Sequence, residues 1–175
     1  VSWHEVPPEV RPDTGAVRLV RVRRFAPGGT IVEVALRQLP LGWRAEWQDG
    51  AMVLRVRHPL RPATTIAGLR ILLDPGHPPD GTVGPSGLRE DSVTLAVGLA
   101  VARRLRALGA DVALTRETPA PVSLEARAAM ITTRDPHLVL LIHANSPGPG
   151  RPPEAVDGTQ VYWMQGNSRL LARLM

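Results

Sequence analysis

The sequence contains no cysteine, which excludes disulfides, thiolate metal ligands and a cysteine nucleophile together. Lysine is absent as well: all 21 basic residues are arginine, the mark of a coding or thermal bias rather than of a binding device. Aromatic residues make up 3% of the chain, too few for the stacking platforms of a nucleic-acid binder, so no nucleic-acid partner is expected. No apolar run approaches the ~18 residues of a membrane span. No charged start followed by an apolar stretch and a cleavage site marks a signal peptide. A soluble domain without a transmembrane segment is the expectation, and an opening Val1 in place of Met suggests a processed or trimmed product. Three common nucleotide-binding or catalytic signatures are also missing. Gly76 and Gly81 have P-loop spacing, but Thr82 stands where lysine is needed, and neither G-x-G-x-x-G nor G-x-S-x-G occurs.

What is present is 175 residues with an ordinary hydrophobic fraction of 43%, enough for one good core or two small domains. The charge is uneven: residues 1–67 carry a net +4 and residues 68–175 a net +1. The arginine excess of the first part reads as a solvated face, with contact to an anionic polymer or surface as the functional alternative.

Residues 1–15 read as an irregular lead-in. From about Ala16 the pattern has period two: Val20 and Val22, then Val32, Val34 and Leu36, then Met52, Leu54 and Val56. Three half-buried strands follow, the first two joined as a hairpin through Pro27-Gly28-Gly29, with Asp49-Gly50 a turn dipeptide before the third. Trp43 and Trp47 fall in the connection before that third strand, where they pack over a sheet edge or stack on sugar rings. Residues 1–58 are therefore expected to form a small antiparallel β module, one sheet of a sandwich. A linker is placed at 59–68, where proline breaks the pattern.

After the linker the grammar changes to strands alternating with helices. Apolar runs at 69–74, 112–114 and 138–142 read as strands, with a further one over Thr159 to Trp163. Leu138–Ile142 is wholly apolar, as in a strand buried on both faces. A long helix is expected to bury Val97, Val101, Leu105 and Leu108, with Ser86 or Gly87 at its N-cap and Gly109 at its stop. Ser123 caps a second helix whose inward residues are Leu124, Ala128 and Ile131. A third helix begins near Asn167. The fold class for 69–175 is thus α/β, a mainly parallel sheet flanked by helices.

Chemistry converges at one edge of that sheet. Ile71-Leu72-Leu73 runs into Asp74-Pro75-Gly76-His77, so His77 lies just past a strand's end, and His143 lies just past the end of Leu138–Ile142. Parallel strands put both imidazoles at the same edge, and Glu90 sits in the first turn of the helix that starts there. Two imidazoles and one carboxylate leave a tetrahedral position of Zn²⁺ open, the composition of a catalytic site. His137 lies about 20 Å from His143 along one extended strand and cannot share an ion with it; it is read as a strand-start residue facing solvent. His4 and His58 have no spaced partners and are read as surface or satisfied residues.

In order, Asp74-Pro75-Gly76-His77, Gly87-Leu88-Arg89-Glu90, Leu114-Thr115-Arg116 and Ile142-His143-Ala144-Asn145 resemble the zinc-dependent N-acetylmuramoyl-L-alanine amidases of bacterial cell-wall remodelling. The resemblance covers about residues 69–175. It implies zinc at His77, Glu90 and His143, substrate contact at Asn145, and peptidoglycan as substrate. The bond cut is the amide between the lactyl group of N-acetylmuramic acid and L-alanine. The resemblance further implies a cell-envelope location, and for residues 1–58 the end of a wall-targeting module. The family's general-base glutamate is expected beyond Met175, together with the last strands of its domain, leaving Glu154 and Asp157 as weak substitutes. Two positions that are usually glycine are Pro78 and Pro79 here. The alternatives are a wall-binding protein that keeps the fold without turnover and a zinc hydrolase of another amide.

Overall fold

A computed structural model describes residues 9–13, 15–25, 28–58, 65–147, 150–155 and 157–175. His4 and most of the expected linker lie outside the described residues. Backbone contacts separate the chain into two compact units, Val1–Arg61 with Val161–Met175, and Pro62–Gln160.

In the first unit, β1 (Glu9–Val10), β2 (Val17–Phe25) and β3 (Gly29–Leu36) form an antiparallel sheet. Its register sets Val20 opposite Val34 and Val22 opposite Val32, with Arg21 facing Glu33 on the other face, as period two requires. A second, two-stranded sheet joins β4 (Gly42–Gln48) to β5 (Ala51–Arg57). Asp49 and Gly50 both have positive φ, 51° and 77°, the type I′ turn of a two-residue hairpin. Among the described residues the module therefore has five strands in two sheets, against the three strands and single sheet expected. Trp43 and Trp47 lie on β4 itself, opposite Val56 and Met52, because Gly42–Trp47 alternates apolar with charged residues as a strand does. Both rings are exposed rather than packed over an edge. His58 is exposed, as expected.

Gly166–Ser168 makes a short 3-10 turn leading into α3 (Arg169–Leu174), close to the expected start. No strand forms over 159–163. Periodicity states which side chains a segment is able to bury, not whether a sheet edge is at hand to pair with its backbone.

The second unit is a parallel sheet in the order β7 (Asp111–Leu114), β6 (Arg70–Pro75), β8 (Leu138–Ile142), with α1 (Glu90–Ala107) and α2 (Leu124–Arg134) packed on it. Being central, β6 is its most buried strand, and Leu72 and Leu73 are fully inaccessible. Ile71, Leu73, Ala102, Ala110, Val112 and Leu114 form the core, each of the four larger side chains contributing about 1.5–3 kcal/mol.

Four expectations about this unit are corrected. The α1 stripe against the sheet is Glu90, Thr94, Gly98 and Ala102, while Val97 and Leu108 are exposed. Small residues let the helix approach closely, and Val101 and Leu105 pack only at the stripe's margin. The helix begins at Glu90, with Arg89 at the N-cap. Ser86 and Gly87 instead sit in a tight turn between Gly84 and Leu88, closed by a bridge of Val83 with Arg89. On α2 the buried residue is Arg127, and Leu124, Ala128 and Ile131 are exposed, for a reason given below. Leu141 of β8 is likewise exposed and the rest of the strand only half-buried, since β8 is an outer strand of the described sheet.

The helix ends follow the sequence more closely. Gly109 takes φ 88° in a Schellman closure, with Gly109 N–H on Arg106 O and Ala110 N–H on Leu105 O. The Ser123 hydroxyl accepts from Ala126 N–H at 3.2 Å.

Candidate metal centre

Parallel pairing of β6 and β8 carries Pro75 and Ile142 to the same level, and Gly76 N–H donates to Ile142 O at 2.8 Å. The two residues that follow, His77 and His143, then stand beside one another with ring centroids 5.1 Å apart and planes near perpendicular. Glu90, the first residue of α1, points between them. Its Oε2 lies 3.4 Å from His77 Nε2, and its Oε1 lies 3.2 Å from His143 Nδ1. One ligand-type atom from each of the three residues lies within 4.8 Å of the others.

These separations fit a metal. Bonds of 2.0–2.1 Å in tetrahedral geometry put ligand atoms about 3.3 Å apart, a spacing found between His77 and one carboxylate oxygen and between His143 and the other. Two glycines shape the cradle. A Cβ on Gly76 would stand 2.3 Å from His143 Cε1, and one on Gly81 3.0 Å from His77 Cγ. His77 Nδ1 lies 3.3 Å from Pro79 O. A carbonyl only accepts, so in the tautomer that donates from Nδ1 to Pro79 O the Nε2 lone pair faces the cluster, as a metal ligand requires.

Glu90 is the buried member, its side chain 5% exposed against 26% for His77 and 49% for His143. Burial alone pushes its carboxyl up. The Thr82 N–H and hydroxyl, the Ala144 N–H and His143 together outweigh that and hold it below the ordinary glutamate value. The Thr82 bonds measure 3.1 and 2.9 Å and the Ala144 bond 3.0 Å. The half-exposed His143 leaves the cluster open to solvent and to a ligand.

Beneath the histidines lies a layer of buried polar groups. Asp74 accepts from Arg127 and from the Thr115 hydroxyl. Arg116 donates to Pro75 O and Gly76 O, both at 2.9 Å, and to Asp91 O at 2.7 Å. Burial first, then the like charge of Arg127, hold the Arg116 guanidinium below its usual value, against the pull of Asp91 and Asp74. No buried side-chain nitrogen or oxygen among the described residues lacks a partner.

The remaining expected residues fall elsewhere. The Asn145 amide donates to Gln160 at 2.7 Å, and its carbonyl accepts from Ser146 N–H at 2.9 Å. Glu154 is exposed in a 3-10 turn over Pro153–Ala155, and Asp157 caps Gly158 N–H; neither belongs to the three-residue cluster. His137 does not face solvent as expected but is half-buried. Its Nδ1 accepts from Arg70 N–H at 2.9 Å and its own N–H donates to Arg70 O at 2.8 Å, because β6 begins one residue before β8 offers it a ladder partner.

Sequence reasoning did not find Thr82, Ala144 or Arg127. Two of the contacts run through backbone N–H groups, which every residue but proline carries, and an arginine among the alanines of 126–129 looks like a solvent-facing charge.

Fold and cluster together define a parallel α/β domain carrying the donor set of an open metal site. A family model described as N-acetylmuramoyl-L-alanine amidase matches residues 71–175, and the chain belongs to that family. N-acetylmuramoyl-L-alanine amidase AmiC of Neisseria meningitidis serogroup B is 35% identical over 78 residues, 43% of this chain and 19% of that protein. YrvJ of Bacillus subtilis (strain 168) is 41% identical over 61 residues, 34% of this chain and 12% of that one. The solved catalytic domain of CwlV, an N-acetylmuramoyl-L-alanine amidase from Bacillus (Paenibacillus) polymyxa var. colistinus, is 28% identical with a TM-score of 0.54, covering 61% of this chain and 59% of that one. The chain thus spans less than two thirds of each of these relatives.

Proposed function

We propose that residues 69–175 carry the zinc centre of a peptidoglycan amidase. On this reading His77, Glu90 and His143 hold the ion, and the bond attacked is the amide between the lactyl group of N-acetylmuramic acid and L-alanine. The observation that carries the reading is the meeting of two imidazoles and one buried carboxylate at the end of parallel strands, within 4.8 Å, in a chain of this family. Zinc held there supplies Lewis-acid polarisation of the scissile carbonyl and acidifies water toward neutral pKa. The protein's own part is positional. Thr82 and Ala144 fix both carboxylate oxygens of Glu90, Pro79 O sets the His77 tautomer, and Gly76 and Gly81 leave room for the rings. Asn145, two residues after His143 and exposed, is assigned on this reading to substrate contact. The β module is assigned to wall attachment, and the work of the protein to the cell envelope. No helix among the described residues is long and apolar enough to cross a membrane.

A second reading, wall binding without turnover by residues 1–175 alone, is favoured by one observation. Among the described residues no carboxylate other than Glu90 joins the cluster, and general-base work needs one within reach of the water.

Elemental mass spectrometry tests the site: about one zinc per chain, lost in His77→Ala, is expected. Incubation with purified peptidoglycan separates the readings. New L-alanine amino termini mark the amidase, and co-sedimentation without them marks the binder. A folded chain that takes up no zinc overturns the amidase reading and leaves wall binding in need of a metal-free rationale.

A further inference from the structure

We infer that Arg127 is a positioning residue of the metal centre: its guanidinium holds the peptide segment that carries His77 in the conformation that aims the imidazole at Glu90. The inference rests on the zinc reading given above. Arg127 comes from α2, 50 residues from His77 in sequence, and is 6% exposed. Its donors are all directed at fixed oxygens. Nε donates to Val122 O at 2.9 Å, one terminal nitrogen to Asp74 and to Pro75 O at 3.0 Å, and the other to His77 O at 3.0 Å and Pro78 O at 3.2 Å. From the other side Arg116 takes Pro75 O and Gly76 O. Four consecutive carbonyls, 75 to 78, therefore accept from two buried guanidiniums.

That clamp has something to hold. His77 sits at φ 59°, a left-handed conformation that non-glycine residues adopt only where surrounding structure over-determines it. The carbonyl of this strained residue is itself one of the clamped groups. A buried arginine is also an expensive way to fill space, since an apolar side chain of similar size does so without desolvating a charge. Arg116 shares its bonds with α1 through Asp91 O and Thr94, whereas Arg127 alone reaches the carbonyl of His77. Its action needs the planar fork, which spans several acceptors at fixed angles; a lysine ammonium supplies the charge without that geometry.

The competing role is purely structural, with Arg127 as counter-ion to Asp74. Two variants of the full chain separate the roles, each followed by thermal denaturation in chelator and by zinc competition against a chromophoric chelator. The visible band of the cobalt-substituted protein serves as a spectroscopic check. Arg127→Lys keeps a charge for Asp74 and loses the fork. It is expected to melt below the wild type, because buried carbonyls lose their donor, to bind zinc about 10–100-fold more weakly, and to shift the cobalt band. Asp74→Asn removes the counter-charge and none of the carbonyl contacts. It is expected to melt lower while keeping zinc affinity within about 3-fold, well short of the loss typical of a removed ligand support. Wild-type affinity in Arg127→Lys, or affinity falling in step with stability in both variants, overturns the inference and leaves the zinc reading standing. Should Arg127→Lys fail to fold, Asp74→Asn decides: retained affinity supports the positioning role and lost affinity overturns it. A wild type that binds no zinc overturns the zinc reading first, and this inference with it.

Discussion

Gly98, in the middle of α1, lies so close to Pro75 that a Cβ on the glycine would come within 2.6 Å of the proline Cγ and 3.4 Å of its Cβ. Two effects of Gly98→Ala oppose one another. Alanine in a helix interior is worth about 1 kcal/mol over glycine, while forcing a methyl into a packed site costs about 1–3 kcal/mol. Pro75 belongs to the central strand and its carbonyl is held by both buried arginines, so it has little freedom to retreat. The packing term wins, and Gly98→Ala is expected to lower stability by about 1 kcal/mol. A urea midpoint at or above that of the wild type would show that the helix shifts at no cost.

Gly76 offers a sharper separation of fold from site. Its absent side chain is the space occupied by the His143 ring, at 2.3 Å from the position a Cβ would take. Gly76→Ala therefore drives the imidazole outward, and His143 is half-exposed, so the ring has somewhere to go. The expected result is a chain whose circular dichroism matches the wild type and whose zinc affinity falls at least about 10-fold. Competition with a chromophoric chelator measures it, and unchanged affinity would place the ion away from His143.

The parts of this molecule that were legible in the sequence are those that act through pattern. Apolar runs located β6, β7 and β8, turn residues located Gly109 and Asp49-Gly50, and the shared strand edge brought His77, His143 and Glu90 together. What was illegible acts through contact. The buried stripe of α1 is Glu90-Thr94-Gly98-Ala102, which no hydrophobicity pattern selects, because a helix approaching a sheet closely needs small residues more than apolar ones. On α2 the inward residue is the arginine, and Leu124 and Ile131 are exposed; only its oxygen partners at Asp74, Pro75, His77 and Pro78 make burial of that charge possible. Trp43 and Trp47 were misplaced for a simpler reason: the charges between them hid a period of two.

Thr82 supplies two of the hydrogen bonds that hold Glu90, one through its backbone and one through its hydroxyl. Thr82→Val keeps the shape and the N–H and deletes the hydroxyl alone. Hydrogen bonds to charged groups contribute about 1.5–3 kcal/mol, and Glu90 keeps its bonds to Thr82 N–H and Ala144 N–H. The loss is therefore expected near the lower figure, about 1.5 kcal/mol in chelator. Zinc affinity should fall by about 10-fold as the carboxylate gains freedom. Chemical denaturation and zinc titration on the same variant give both numbers, and a variant that loses stability but no affinity would mean that Glu90 is held well enough without the hydroxyl.

On the proposed zinc reading, removal of the metal tests whether the ion builds the domain or merely occupies it. In zinc fingers the ligands are the core, and chelation unfolds the chain. Here the core consists of Ile71, Leu73, Ala102, Ala110, Val112 and Leu114, and none of the three cluster residues belongs to it. Glu90 and His77 are also tied down by protein partners, through Thr82, Ala144 and Pro79, so the cluster persists without an ion. The apo protein is accordingly expected to keep its far-ultraviolet circular dichroism and its cooperative melt. Zinc then adds stability only by mass action, about 2.7 kcal/mol at a free concentration 100 times the dissociation constant, growing with the logarithm of concentration thereafter. Melting curves across a zinc series should show that steady climb from a folded baseline; collapse of the dichroism on chelation would instead make the ion part of the fold.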